Sequence, residues 1–193
     1  MDTQPNQLKR VADRLSMKVT EEVEAITVNT LILGPAIDGK RLKPPARLRR
    51  ALLERCPRYG AAVLGEHRSI EAAYRRAVKA RYNLCTYEFE LALTCDLIII
   101  LPASPGSYAE LGLFALEEDI ARKSVILFDQ DFKKEKSFLR YGPRKVYKDF
   151  KAVIFDVDYR DIDGVWKKVE AEIQSARERI RFRRFRSGPK QDE

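Results

Sequence analysis

Histidine is all but missing from this chain: His67 is the only one in 193 residues. That excludes metal sites built from several histidines and argues against a Ser-His-Asp triad. Cysteine is scarce as well. Cys56, Cys85 and Cys95 are odd in number and show no CxxC spacing, so they read as reduced thiols and not as disulfides or a zinc site. No apolar stretch comes near the roughly 18 residues of a membrane span, and the start, MDTQPNQLKR, does not read as a signal peptide. A cytoplasmic location is the default expectation. Acid–base chemistry must therefore rest mainly on carboxylates, Tyr or Lys.

What the chain does have is charge and short apolar runs. Apolar residues make up 45% and charged residues 34%, as in a soluble domain somewhat rich in charge. Four β-branched runs read as buried strands: 28–33, 97–101, 124–128 and 152–157, with a weaker fifth at 61–64. They are continuous and do not alternate, as expected of parallel strands covered on both faces. Helical segments are predicted between them at 45–55, 70–79, 87–94, 108–122 and 162–181, and an amphipathic N-terminal helix at 5–15. Strand alternating with helix predicts an α/β, three-layer, doubly wound fold with a flavodoxin-like sheet of about five parallel strands. Residues 1–176 are expected to form one domain and 177–193 a basic C-terminal tail.

Ligands in such sheets sit beyond the carboxyl ends of the strands, and three loops there stand out. In LILGPAIDGKRLKPP, Gly34 and Pro35 follow the first strand at once, and a Gly lets backbone approach a ligand. In PASPGSYAELG, the amides from Gly106 to Ala109 are expected to open a helix and cradle an anion. Ser104, Ser107 and Tyr108 add hydroxyls there. Glu110 is expected in that helix's first turn, where the dipole would favour its ionised form; Leu113, Leu116 and Ile120 are read as the core stripe. The third loop, DQDFKKEKSFLRYGPRKVYKDF, is long and basic, with Lys133, Lys134, Lys136, Arg140, Arg144 and Lys145. Read singly, each loop has an ordinary explanation: a connector, a dipole-matched Glu, a solvated basic surface.

Together, and in this order, the three loops resemble the nucleoside 2-deoxyribosyltransferase superfamily. The matching residues are Gly34-Pro35, Asp96 with LIIIL, and Gly106 through Glu110-Leu111-Gly112. The chain is more similar still to deoxyribosyltransferase-like effectors of bacterial retron anti-phage systems, in NLCTYEFELALTCDLIIILPASPGSYAELGLFA and in KSFLRYGPRKV. The likeness covers about residues 28–157. It implies an N-glycosidase, with Glu110 as the nucleophile at the sugar's anomeric carbon and Glu88 as a second catalytic carboxylate. The substrate-binding residues it points to are Gly34, Pro35, Ser104, Gly106, Ser107, Tyr108, Lys136, Ser137 and Arg140. No metal or cofactor is implied, and a homo-oligomer is expected. Two positions depart from the superfamily: Ser104 stands where transferases commonly carry an Asp, and Asn83 where they place another.

The C-terminal segment holds most of the excess charge. Between residues 174 and 190, seven basic residues face Glu178 alone, out of a net +8 for the whole chain. Arg177, Arg181, Arg183, Arg184 and Arg186 alternate with Ile180, Phe182 and Phe185, a pattern that suits nucleic acid, or a reverse transcriptase–DNA partner, as well as an acidic protein. Two other readings stay open on sequence alone: a sensor that binds a nucleotide or ADP-ribose-like ligand without turnover, and a nucleic-acid-binding subunit.

Overall fold

The computed structural model describes residues 4–79, 82–133 and 137–187. Five parallel strands form one sheet in the order β2-β1-β3-β4-β5. They are β1 (Thr30–Leu33), β2 (Ala62–Leu64), β3 (Leu97–Ile100), β4 (Ser124–Asp129) and β5 (Val153–Val157). The helices are α1 (Gln4–Glu24), α2 (Pro44–Arg55), α3 (Arg68–Val78), α4 (Leu84–Thr94), α5 (Pro105–Phe114), α6 (Glu118–Ala121), α7 (Phe138–Tyr141), α8 (Pro143–Asp149) and α9 (Ile162–Ser187). No helix among the described residues is long and apolar enough to cross a membrane.

The continuous apolar runs are explained by burial on both faces. Ile32, Ile99, Leu101, Val125 and Leu127 pack with Leu48 and Leu52 of α2 and with Val165, Val169 and Ile173 of α9. Their neighbours Leu31, Leu33, Ile98, Ile100 and Ile126 face the opposite way, onto Ala92 of α4, Leu111 and Phe114 of α5, Ile120 of α6 and Tyr147 of α8. β1, β3, β4 and β5 thus divide their side chains between two cores, and each methylene buried there adds about 0.8 kcal/mol. Tyr147 is the odd member: it is fully buried and its hydroxyl has no hydrogen-bond partner among the described residues. Burial also pushes its pKa upward. Tyr147→Phe is therefore expected to leave stability unchanged or raise it by up to about 1 kcal/mol, because it removes an unsatisfied donor without opening a cavity. A urea melt would read this.

Most predicted elements are present with shifted ends, but the segment after β3 needs correction. The single helix expected over 108–122 is two, α5 and α6, separated at residues 115–117. α5 begins three residues early, at Pro105, because Ser104 caps it: Ser104 Oγ accepts from Ser107 N at 3.3 Å while Ser107 Oγ accepts from Ser104 N at 2.9 Å. This reciprocal box satisfies two amides at once. The buried stripe is accordingly Ser107, Leu111 and Phe114, and Leu116, expected in the core, is 80% exposed. The N-terminal helix is also longer than predicted, and α9 runs unbroken through residue 187.

The third loop is largely folded. Ser137 precedes α7, and Gly142 ends α7 while starting α8, with φ −95° and ψ −103°. An added Cβ there would lie 2.9 Å from Phe138 O and 3.2 Å from its ring. The SF-x-x-x-GP spacing thus encodes a tight joint between two short helices. Lys136 lies outside the described residues, and Arg140 is placed only by its backbone, on α7.

Candidate active site

The strand order reverses between β1 and β3. The chain leaves β1 for α2, on the face shared with α9, and leaves β3 for α5, on the other face. In sheets of this kind the ligand sits in a crevice beyond the carboxyl ends of the two strands at such a switch point. Gly34 lies there: a Cβ on Gly34 would lie 3.2 Å from both Leu101 Cβ and Arg49 Cδ. Glycine here lets the exit of β1 pass between β3 and a buried arginine.

Glu110 lies in the second turn of α5, not the first, five residues after Pro105. The helix dipole falls off within the first turn, so the dipole is not what sets its charge. Burial is. Glu110 Oε2 is buried without a hydrogen-bond partner among the described residues. Burial first, and the neighbouring Glu88 next, push the Glu110 carboxyl up to about 7. The expectation of a dipole-stabilised, fully ionised Glu is thereby corrected. A buried carboxyl with an orphaned oxygen and a pKa near neutrality is an uncommon arrangement for a structural residue.

Glu88, from α4, is half-buried and not on a solvated face. Its pKa is raised by burial, then by Glu66 and Glu71, and lowered by Arg49. A Cβ on Gly65 would lie 3.3 Å from Glu88 Oε1, so the loop after β2 closes directly over this carboxylate. The two sequence-predicted carboxylates thus act on each other, and two residues missed in the sequence act on both: Arg49 and Glu66. Arg49 is 1% exposed. It donates to Ile32 O at 2.8 Å, to Pro35 O at 3.1 Å, and in a two-pronged pair to Glu66 at 2.7 and 2.8 Å.

Other predicted residues are spent within the fold. The amides of Ser107 and Tyr108 go to Ser104 Oγ and Ser104 O, and Ala109 lies past the turn whose amides are open, which leaves Gly106 of the expected anion cradle. Ser104 and Ser107 bond each other, and Ser107 Oγ also accepts from Ala103 N at 3.0 Å. Tyr108 acts on Tyr159, on the side toward the end of β4. Asn83 caps α4 by accepting from Thr86 N at 3.2 Å. Asp96 accepts from Asn29 N at 3.0 Å, at the amino end of β3. Of the third-loop cations, Arg144 pairs with Asp156 at 2.6 and 2.9 Å and Lys145 with Asp149 at 2.9 Å. Gly106 stands apart: among the described residues nothing lies within 4 Å of an added Cβ there. The fold does not require glycine at 106, so a requirement for it would come from something outside the protein.

With this geometry in place, the chain can be set beside known proteins. Residues 46–191 match the family model described as STM3845 retron effector protein. The chain belongs to that family. Among its relatives is an Escherichia coli protein of retron Ec86, provisionally named a ribosyltransferase/DNA-binding protein. It is 39% identical over 74 residues, which is 38% of this chain and 24% of that protein. A protein of the same description from Escherichia coli retron Ec73 is 40% identical over 63 residues, 33% of this chain and 20% of that protein. The matched part of this effector spans about a quarter or less of each relative.

The basic end of the effector lies far from the crevice. α9 starts just after β5 and ends beside the amino edge of the sheet. There Arg181 pairs with Glu22 of α1 at 2.8 Å, while Phe182 and Arg183 border a groove of about 850 Å³ with Cys95, Asp96, Arg122 and Lys123. Two of the five tail arginines proposed as contacts are engaged within the fold, one of them buried. Arg177 is 8% exposed and lies over the Tyr59 ring at 4.8 Å, and Arg181 is held by Glu22. Arg183, Arg184 and Arg186 remain on the surface, between the exposed rings of Phe182 and Phe185.

Proposed function

We propose that this retron effector is an N-glycosidase that cleaves the base–sugar bond of a nucleoside or nucleotide and acts in anti-phage defence. The observation that carries this reading is the half-buried carboxyl pair on α4 and α5: Glu110 with a buried, orphaned oxygen, and Glu88, whose charge acts on it. Two interacting carboxyls titrate as a unit and hold one proton between them across the intermediate pH range. Glu110 keeps its proton up to about pH 7 in the free protein; cleavage of an N-glycosidic bond builds positive charge on the sugar, which favours ionised Glu110, and its proton passes to Glu88. An oxygen of Glu110 then bonds to the anomeric carbon as the C–N bond breaks, and Glu88 gives its proton to the departing base. Glu88, now ionised, takes a proton from water that attacks the anomeric carbon and frees Glu110. This division of labour supplies an acid from α4 despite Ser104 and Asn83, both of which are occupied as helix caps. The retron relatives' provisional ribosyltransferase name accords with glycosyl chemistry. The test is incubation of the purified protein with a mixture of ribo- and deoxyribonucleotides and nucleosides, with chromatography for free base. A ligand recovered bound and intact, with no base released, would favour the sensor reading.

A second activity is supported at the other end of the molecule. Exposed Arg183, Arg184 and Arg186 beside bare Phe182 and Phe185 form an edge suited to single-stranded nucleic acid, through phosphate contacts and stacking. Replacing these three arginines by Ala is expected to weaken binding of single-stranded DNA and to reduce its log–log salt slope by about 2. Fluorescence anisotropy at several salt concentrations reads both. Arg181→Ala, in contrast, should cost up to about 1 kcal/mol of stability through its pair with Glu22 and leave the slope within about one unit.

A further inference from the structure

Every side chain from residue 7 to residue 18 of α1 is exposed, although Leu8, Val11 and Leu15 are among them. These three are between 62% and 71% exposed. With Ala12, Val19 and Val23 they recur at every third or fourth position, so they share one apolar face of the helix. Val19 and Val23 are half-buried, and Glu22 pairs with Arg181 of α9 at 2.8 Å. The last turns of α1 are thus seated on the body of the protein, while the same apolar face runs on into water before them. A helix of this kind is stabilised mainly by packing its apolar face, so the exposed half of α1 calls for a partner. It lies outside the residues that the family model matches.

A groove suited to such a face opens at the other end of the same helix. It encloses about 360 Å³ between Glu22, Ala25 and Ile26 on one side and Arg181, Arg184 and Phe185 of α9 on the other. The charges of α1 are divided in the same way as its apolar face. Lys9, Arg10, Arg14 and Lys18 outnumber Asp13 in the exposed half, and Glu21, Glu22 and Glu24 close the helix. We propose that the exposed half of α1 docks in this groove on a second copy of the chain, antiparallel to that copy's α1, and that the second copy returns the contact. Turned end for end against itself, α1 sets Lys9 and Arg10 opposite Glu22 and Glu21, and Asp13 opposite Lys18. In the same register Leu8 falls beside Val23 and Ala12 beside Val19. A helix meant for an unrelated partner has no need to mirror itself in both respects. The contact is isologous and closes at two copies. It covers Phe185 and leaves Phe182 and Arg183, which border the other groove, to nucleic acid.

Sedimentation equilibrium of the full chain at micromolar concentration tests this. The wild type should be a dimer, and Leu8→Asp/Leu15→Asp should halve that mass while keeping the near-UV circular dichroism of a folded core. Two charge variants then read the direction of the pairing. Lys9→Glu/Arg10→Glu makes both ends of α1 acidic, and Glu21→Lys/Glu24→Lys makes both ends basic while sparing Glu22 for Arg181. Each alone should self-associate at least about tenfold more weakly than the wild type, because like charges then meet at both ends. An equimolar mixture of the two should recover dimers that hold one copy of each. A monomeric wild type overturns the proposal, and so does a Leu8→Asp/Leu15→Asp variant of undiminished mass, which would place the contact elsewhere. Charge variants that dimerise as tightly as the wild type, or that do not combine on mixing, overturn it as well. Should the leucine variant misfold, the charge variants decide alone, since all four of their positions are exposed.

Discussion

Glu110→Gln is expected to stop base release, by a factor of about 10³ or more, while giving a protein at least as stable as the wild type at pH 8. The loss follows from removing the atom that attacks the sugar, which no neighbouring group replaces. The stability result comes from the same carboxyl. Its pKa is raised to about 7 in the folded state from an ordinary 4.5, so between these values the folded protein keeps a proton that the unfolded chain has released. Stability from this group is therefore present at low pH and declines as pH rises through that window. Gln cannot ionise and escapes the decline. The variant's advantage should be absent below pH 4.5 and grow to at most about 3 kcal/mol above pH 7, less whatever Glu88 shares. Melting curves at pH 4.5 and pH 8, beside the base-release assay, check both halves. Base release that persists in the variant removes Glu110 from the mechanism. A variant less stable than wild type at pH 8 would show that Glu110 makes a structural contact.

The second large effect is on folding. Gly60, just before β2, has φ +152°, and an added Cβ would lie 2.5 Å from Val28 O, 2.7 Å from Val28 N and 2.8 Å from Val28 C. These are backbone atoms of a fully buried residue, and Val28 N donates to Tyr59 O at 2.7 Å. Nothing there can swing away. Gly60→Ala must either break the pairing that leads β1 and β2 into register or displace β2 from the sheet. A loss of about 3 to 5 kcal/mol is expected, or roughly 10 °C in Tm for a domain of this size. Gly106→Ala is the matched control: with open space around its Cβ, it should be neutral or stabilising by up to about 1 kcal/mol. Differential scanning calorimetry of the two variants makes the comparison, and equal melting temperatures would refute the steric argument.

The sheet was legible because strands buried on both faces must be apolar without interruption, as LIIIL at 97–101 is. Which residue faces which core was not, since a continuous run carries no alternation. The start of α5 was misplaced for a physical reason. Pro105 and Gly106 look like turn residues, yet proline suits a helix's first position, and the Ser104–Ser107 box pays for an early start. Moving the start by three residues took Glu110 out of the first turn and added Ser107, Leu111 and Phe114 to the buried side; of the expected stripe, Ile120 and Leu113 still pack in the core and only Leu116 does not. Glu110 and Glu88 could be named from motifs, but their surroundings could not. Arg49 stands among Arg47, Arg50 and Arg55 on α2, and only the fold shows which of them turns inward. Glu66 lies in a short loop whose local sequence has no distinguishing mark. In the tail the alternation of arginine and phenylalanine was plain, whereas the internal use of Arg177 and Arg181 depends on Tyr59 and Glu22, which are more than a hundred residues away in the chain.

α9 has a mechanical consequence. At 26 residues it is a rod about 39 Å long, rooted at the carboxyl edge of the sheet and ending beside the amino edge. A partner gripping its far end would act as a tether and not as a plug, holding the molecule in place while the crevice stays open to small molecules. Silencing the chemistry from that end would require either a partner large enough to reach round the sheet or a pull transmitted along the rod to the loop between β5 and α9.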